Sequence, residues 1–176
     1  MRKVILYIAA SIDNYIARKD GSVDWLDGVP NPKKSDYGYY SMYNSIETTL
    51  MGNKTYQEVL GFDVPFPYPD KINFVFTRNH KEPDGDVEYV SKDPVAFTKE
   101  LKNQRGKAIW LIGGGEINTL LLNAGLVDEL IITRIPTILG EGIPLFGSGV
   151  KESSLQLTEL LDFKNGIVQL KYQPKN

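Results

Sequence analysis

Two rhythms of apolar residues alternate along this chain. Short runs rich in Val, Ile, Leu, Phe and Tyr fall at 3–10, 48–52, 72–77, 86–90, 108–112, 127–134, 155–163 and 166–173. Their length and composition are those of strands, and the continuous apolar runs among them suit strands buried on both faces. Between several of them, the stretches 36–46, 54–60, 94–102 and 116–124 space their apolar residues for one face of a helix. Strands alternating with helices predict an α/β fold whose sheet is covered on both faces. The last two runs meet at Lys164-Asn165-Gly166, and an Asn-Gly turn there predicts a C-terminal antiparallel hairpin, which makes the sheet mixed.

Length and composition narrow this picture. A chain of 176 residues with 41% hydrophobic and 24% charged residues, and no repeat or low-complexity tract, predicts one domain over 1–176 with one substantial core. A formal charge of -2 supplies no basic field to attract phosphate backbones, so nucleic acid is not expected as a partner. The absence of cysteine excludes disulfides, thiolate catalysis and cysteine-ligated zinc. A single histidine, His80, expected in an exposed loop, cannot build a multi-histidine metal site, so no metal is expected. The apolar run after Arg2-Lys3 stops at Ser11 and Asp13, which predicts a first buried strand of a cytoplasmic protein with no membrane partner.

Candidate chemistry begins at Ala108 to Asn118, where a strand-like run ends in Gly113-Gly114-Gly115 and opens into a helix. Glycines let backbone N–H groups approach an anion closely, and the helix adds its positive dipole end. A plain tight turn has the same sequence signature. The Rossmann fingerprint is not met, because Asn118 stands where its third glycine belongs. Thr55 sits at a second predicted helix start, where its hydroxyl and the amides around it suit an anion or a simple first helical turn. Asp36, Tyr39, Tyr40, Tyr43 and Ile46 share one helical face, which reads as a carboxylate heading an aromatic binding stripe or as a helix cap above core packing. The Pro-containing loops 18–34 and 61–71 are where such a scaffold would place substrate contacts. Asp13-Asn14 predicts an Asx-type turn, with Asn14 tolerating left-handed geometry.

Read together, Ser11 to Ala17, Leu50 to Tyr56, Val75 to Arg78 and the triple glycine resemble the dihydrofolate reductase fold in order and spacing. The later segments Leu126 to Leu130 and Ile135 to Phe146 are similar to the carboxy-terminal reductase domain of riboflavin biosynthesis (the RibD C-terminal type). The resemblance implies three α/β/α layers with a mainly parallel sheet. It implies a nicotinamide cofactor held by Ala10, Ile16, Gly52, Asn53, Lys54, Thr55, Thr77, Arg78, Gly113, Gly114, Gly115, Glu116 and Ile117. Asn53 and Glu116 depart from the arginines common at such positions, leaving Lys54, Thr77 and Arg78 to meet a 2′-phosphate, so NADPH is expected with NADH as the alternative.

By the same resemblance Asp36 is the catalytic acid that orients or protonates substrate, with Trp25, Tyr40 and Tyr43 as substrate contacts. Trp25 also reads as a loop tryptophan packed on the core. The implied activity is hydride transfer from NADPH to a small planar heterocycle of pterin or aminopyrimidine type. A longer interval from Trp25 to Asp36, and Val59-Leu60 in place of paired aspartates, set the chain apart from both named reductases. The competing function is that of a nucleotide-binding regulatory or interaction protein without turnover. Apolar surface in 127–139 and 155–173 adds the expectation of a homodimer.

Overall fold

The computed structural model describes residues 1–175 apart from Asp63, His80 and Asp84, so the expectation for His80 lies outside the described residues. In chain order the elements are β1 (Val4–Ser11), β2 (Tyr15–Ala17), a 3-10 turn (Asp24–Gly28), α1 (Tyr39–Ser45), β3 (Ile46–Gly52), α2 (Asn53–Leu60), β4 (Ile72–Phe76) and β5 (Glu88–Val90). They continue with α3 (Pro94–Asn103), β6 (Ala108–Gly113), α4 (Gly115–Asn123), β7 (Glu129–Ile135), β8 (Ile143–Pro144), β9 (Leu155–Asp162) and β10 (Val168–Pro174). Eight strands form one sheet in the order β5-β4-β3-β6-β1-β7-β10-β9. From β5 to β7 every neighbouring pair is parallel, whereas β10 runs antiparallel to both β7 and β9. The fold is therefore the α/β class expected, mainly parallel and closed by the C-terminal hairpin.

Strand periodicity sorts the core into two faces. On one face Leu6, Leu50, Leu111, Leu130 and Ile132 pack against Leu101 of α3 and Leu121 of α4. On the other, Met51, Val75 and Trp110 pack against Met42 of α1 and Tyr56 and Val59 of α2. Each fully buried leucine contributes about 1.5–3 kcal/mol relative to exposure. The face choice of each strand is thus strongly fixed, since a slip of one residue exposes its whole apolar set.

The helix expected over 36–46 is Tyr39–Ser45. Gly38 holds the left-handed φ of 82 at its N-cap, and Ile46 already opens β3, with Met42 and Ile46 filling the same cluster. The sequence reading also lacked β2 and β8, which pair only with each other to form a small second sheet. Asn14 has φ 68 as its turn requires. The hairpin tip is docked as well, because the Asn165 amide donates to the Pro30 carbonyl and the Tyr37 hydroxyl. No helix among the described residues is long and apolar enough to cross a membrane.

Candidate functional site

The parallel strands β1, β3, β4, β6 and β7 all end at one edge of the sheet, where an open α/β sheet presents its loops as a crevice. At that edge the register sets Met51 of β3 opposite Gly113 of β6, so the two following turns lie side by side. A Cβ built on Gly114 would stand 3.2 Å from Thr55 Oγ1, and one on Gly52 would stand 3.4 Å from Ile117 Cγ1. Gly52 and Gly114 are the N-caps of α2 and α4, and neither helix receives a side-chain cap. Two sets of unpaired N–H groups and two positive dipole ends therefore converge at one point, which favours a group with several negative charges.

The three consecutive glycines have three different reasons. Gly113 has φ 118 and is joined to Gly114 by a cis peptide bond, and its vacant side-chain position is filled by the Asn118 amide at 3.3 Å. Gly114 has an extended backbone (φ -80) that any residue adopts, so its reason is the clearance from Thr55. Gly115 is buried beneath the segment 144–147: a Cβ there would meet the Pro144 carbonyl oxygen at 2.4 Å, and Gly147 N–H donates to the Gly115 carbonyl at 3.0 Å. That packing accounts for Gly115 without any cofactor. Ile117 touches the Gly52 side of the crevice, whereas Glu116 is exposed in the first turn of α4.

Other expected cofactor contacts sort by exposure. Ala10 is fully buried within the core of the α3/α4 face, so no atom of it is open to a cofactor. Ile16 packs half-buried against the same cluster. Thr77 receives the Asn79 N–H on its hydroxyl at 3.3 Å, and Lys54 and Arg78 are exposed. The cation held at the start of α2 is Lys81: its ammonium donates to Asn53 Oδ1 at 3.0 Å and lies 5.0 Å from the centre of the Tyr89 ring.

Asp36 does not occupy the partly desolvated pocket expected of a proton donor. It is exposed and precedes α1, where its carboxylate accepts the N–H groups of Tyr40 at 3.0 Å and Gly38 at 3.1 Å. These two backbone bonds hold its pKa below the ordinary value and outweigh the effect of burial. Tyr40 is 66% exposed. Tyr43 stacks on Tyr39, gives its hydroxyl to Asp70, and carries the Lys71 ammonium 4.0 Å from its ring centre, so it ties α1 to the 61–71 loop. Burial, and then the Asp70 carboxylate, push the Tyr43 hydroxyl well above its usual value. Trp25 is buried against Ile135 and Ile167, the packing alternative read from sequence, and among the described residues its indole N–H has no partner. Between the 20–27 loop and the end of α2 lies an open cleft of 350 Å³, with Glu58 seated against Gly21.

With this geometry established, residues 69–169 match the family model described as the RibD C-terminal domain. The chain belongs to the RibD C-terminal domain family. A Bacillus subtilis (strain 168) relative named "Uncharacterized protein YwjB" is 40% identical over 172 residues, spanning 97% of each chain. The crystal structure of a Shewanella sp. PV-4 protein assigned provisionally to riboflavin biosynthesis superposes with a TM-score of 0.89 at 34% identity, covering 99% of both chains. A dihydrofolate reductase from Enterococcus faecalis complexed with NADP(H) shares the fold, with a TM-score of 0.67 at 17% identity, covering 99% of this chain and 97% of that one.

In this RibD C-terminal domain, the sheet face beneath α1 carries polar residues that the sequence reading passed over. Gln169 Nε2 donates to Thr133 Oγ1 at 2.9 Å and to the Tyr37 carbonyl at 3.1 Å, and the Tyr7 hydroxyl donates to the same carbonyl at 3.3 Å. Burial raises the Tyr7 hydroxyl pKa above its ordinary value, so the phenol stays protonated at neutral pH. A signal for Thr133 existed, since it breaks the apolar run Leu130 to Ile132, whereas Gln169 is one of several polar residues alternating along β10. Lys81 left no such signal, since it is one lysine in a charged loop. Among the described residues no group of three or more His, Cys, Asp or Glu side chains could hold a metal ion.

Proposed function

We propose that the chain is an NADPH-dependent reductase that delivers a hydride to a small planar nitrogen heterocycle of pterin or aminopyrimidine type. The observation carrying this reading is the abutment of the two uncapped helix starts, with Gly114 facing Thr55 across the crevice. Lys54, Arg78 and Lys81 supply cations beside it, so the residues present fit a nicotinamide dinucleotide with an extra phosphate. Family membership and the shared fold of a dihydrofolate reductase that holds NADP(H) support the same reading. The cofactor brings the hydride; the chain orients the ring and shields it from water.

On this reading Gly52 to Thr55 and Gly113-Gly114 bind the phosphates, and the 18–34 and 61–71 loops enclose the substrate. Tyr7, Thr133 and Gln169, spent on one another and on the Tyr37 carbonyl, hold the Tyr37 segment against the sheet beneath α1. Asp36 is not given the role of acid, because its carboxylate is committed to two backbone amides. That commitment also favours the second reading, a nucleotide-binding protein without turnover. A cytoplasmic location and a homodimer belong to the proposal.

The test is NADPH oxidation by the full chain with a panel of pterins, aminopyrimidines and quinoid compounds. Turnover with one class names the substrate. NADPH binding with no turnover across the panel selects the binding protein, and no NADPH binding removes both readings.

A further inference from the structure

Alternation along β7 sends Leu130, Ile132 and Arg134 to the α3/α4 side of the sheet and Ile131, Thr133 and Ile135 to the other. Leu130 and Ile132 are 0% and 4% exposed, so Arg134 occupies the next core-facing position of the strand. There it lies opposite Ala10 of β1 and Val168 of β10. An open cavity of 530 Å³ lies over Leu130, Ile132 and Arg134, with Leu145, Phe146, Leu155 and Tyr172 around it. That size falls within the roughly 300–1,000 Å³ of small-molecule sites. Among the described residues no acidic side chain lines it.

The half-buried guanidinium spends one N–H on the Ser11 carbonyl, Nη1 to O at 3.1 Å. Among the described residues no carboxylate stands within ion-pair distance of it, and its pKa is depressed chiefly by burial. A cation withdrawn from water with no partner is unfavourable, and an anion meeting its remaining N–H groups relieves that cost with charge-assisted hydrogen bonds. Asn14 and Ser153 add polar groups beside the guanidinium, while Phe146, Leu155 and Tyr172 suit an apolar body behind the charge.

We propose that this pocket is a second binding site, separate from the cofactor crevice, for a small organic anion with an aromatic or aliphatic body, such as an aromatic carboxylate or sulfonate. It lies on the opposite sheet face from the Tyr7–Thr133–Gln169 network. Residues 144–146 divide it from the glycine turn, with the Pro144 carbonyl against Gly115 and Leu145 and Phe146 toward the pocket. The proposal does not rest on the reductase reading.

The experiment is fluorescence titration of the full chain with 1-anilinonaphthalene-8-sulfonate, repeated with saturating NADPH and with the uncharged analogue N-phenyl-1-naphthylamine. The expected result is one saturable site per chain, unchanged by NADPH, at least tenfold tighter for the sulfonate than for the neutral analogue. Arg134→Gln weakens sulfonate binding at least tenfold and leaves the neutral analogue unchanged. Equal affinities of the two probes for the wild-type chain overturn the proposal even where Arg134→Gln fails to fold. Displacement of the probe by NADPH overturns it by merging the pocket with the cofactor crevice. Binding that appears only after Leu160→Asp, outside the pocket, has converted a dimer to monomers also overturns it, since a second copy is then the occupant.

Discussion

Substituting the three glycines one at a time separates a binding role from a packing role. At Gly114 the backbone is already extended, so a side chain adds no strain, but its Cβ would sit 3.2 Å from Thr55 Oγ1 and the γ-methyls of valine would reach further into the crevice. Gly114→Val is therefore expected to fold, losing about 1 kcal/mol or less, while NADPH affinity falls at least tenfold, about 1.4 kcal/mol. Gly115→Ala reverses the balance, because its Cβ would meet the Pro144 carbonyl at 2.4 Å and backbone on both sides must shift. A cost of about 1–3 kcal/mol follows, lowering Tm by about 2–4 °C per kcal/mol for a chain of this size. Nicotinamide fluorescence titration and thermal melts, run on both variants, give the two numbers. A folded Gly114→Val chain with unchanged NADPH affinity refutes the anion site, and an unchanged melting temperature for Gly115→Ala refutes the packing account.

The other expectations use the same measurements. Lys81→Ala weakens NADPH by about 1.5–3 kcal/mol while sparing NADH, because only NADPH loses a charge-assisted contact; equal losses place the 2′-phosphate elsewhere. Asp36→Asn keeps the α1 cap and its stability, whereas Asp36→Ala lowers the melting temperature. Because the folded-state pKa of Asp36 is depressed, its contribution is present above the ordinary carboxylate value of about 3.9 and is lost as pH falls through the folded-state value, which acid melts of wild type and Asp36→Ala check by converging. Lys102→Met leaves the Asp128 carboxylate, which also accepts the Val4 N–H, without its cation and costs roughly 2–3 kcal/mol in urea unfolding, the Lys102 side chain being 7% exposed and that of Asp128 37%. The proposed homodimer follows from edge strand β9, with Leu157, Leu160 and Leu161 at 46%, 55% and 39% exposure; light scattering should give twice 19.8 kDa, and a monomer mass at micromolar concentration rejects it.

The parallel core was legible because its strands are apolar on both faces and read as continuous runs whatever their neighbours. The small β2–β8 sheet was not, since two or three residues carry no period, and the pairing depends on Ile143-Pro144 returning to Tyr15. The start of α1 was misplaced for a related reason. Asp36 and Ile46 both continue the helical spacing of Tyr39 and Tyr43, yet one is a cap outside the helix and the other the first residue of β3. Spacing cannot distinguish a side chain that faces the core from a turn of the helix from one that reaches the same side from its flank.

The site divides along the same line. A glycine turn announces itself because few residues fit where backbone must approach backbone, as Gly115 does against the Pro144 carbonyl, so the turn itself was readable. Burial is a different property. Asp36 carried the right residue type at the right interval, and only the two amides it caps show that its charge is already satisfied. Within β7 the sequence offers two consecutive polar interruptions, Thr133 and Arg134, that look alike as breaks in an apolar run. The pleat sends them to opposite faces, where Thr133 meets the Gln169 amide directly across the ladder while Arg134 meets Val168 and an acid-free cavity. One is satisfied within the sheet, and the other is the cation on which the proposed anion site rests. That difference is set by the residues one strand away, which is why it appears only once the sheet order and register are known.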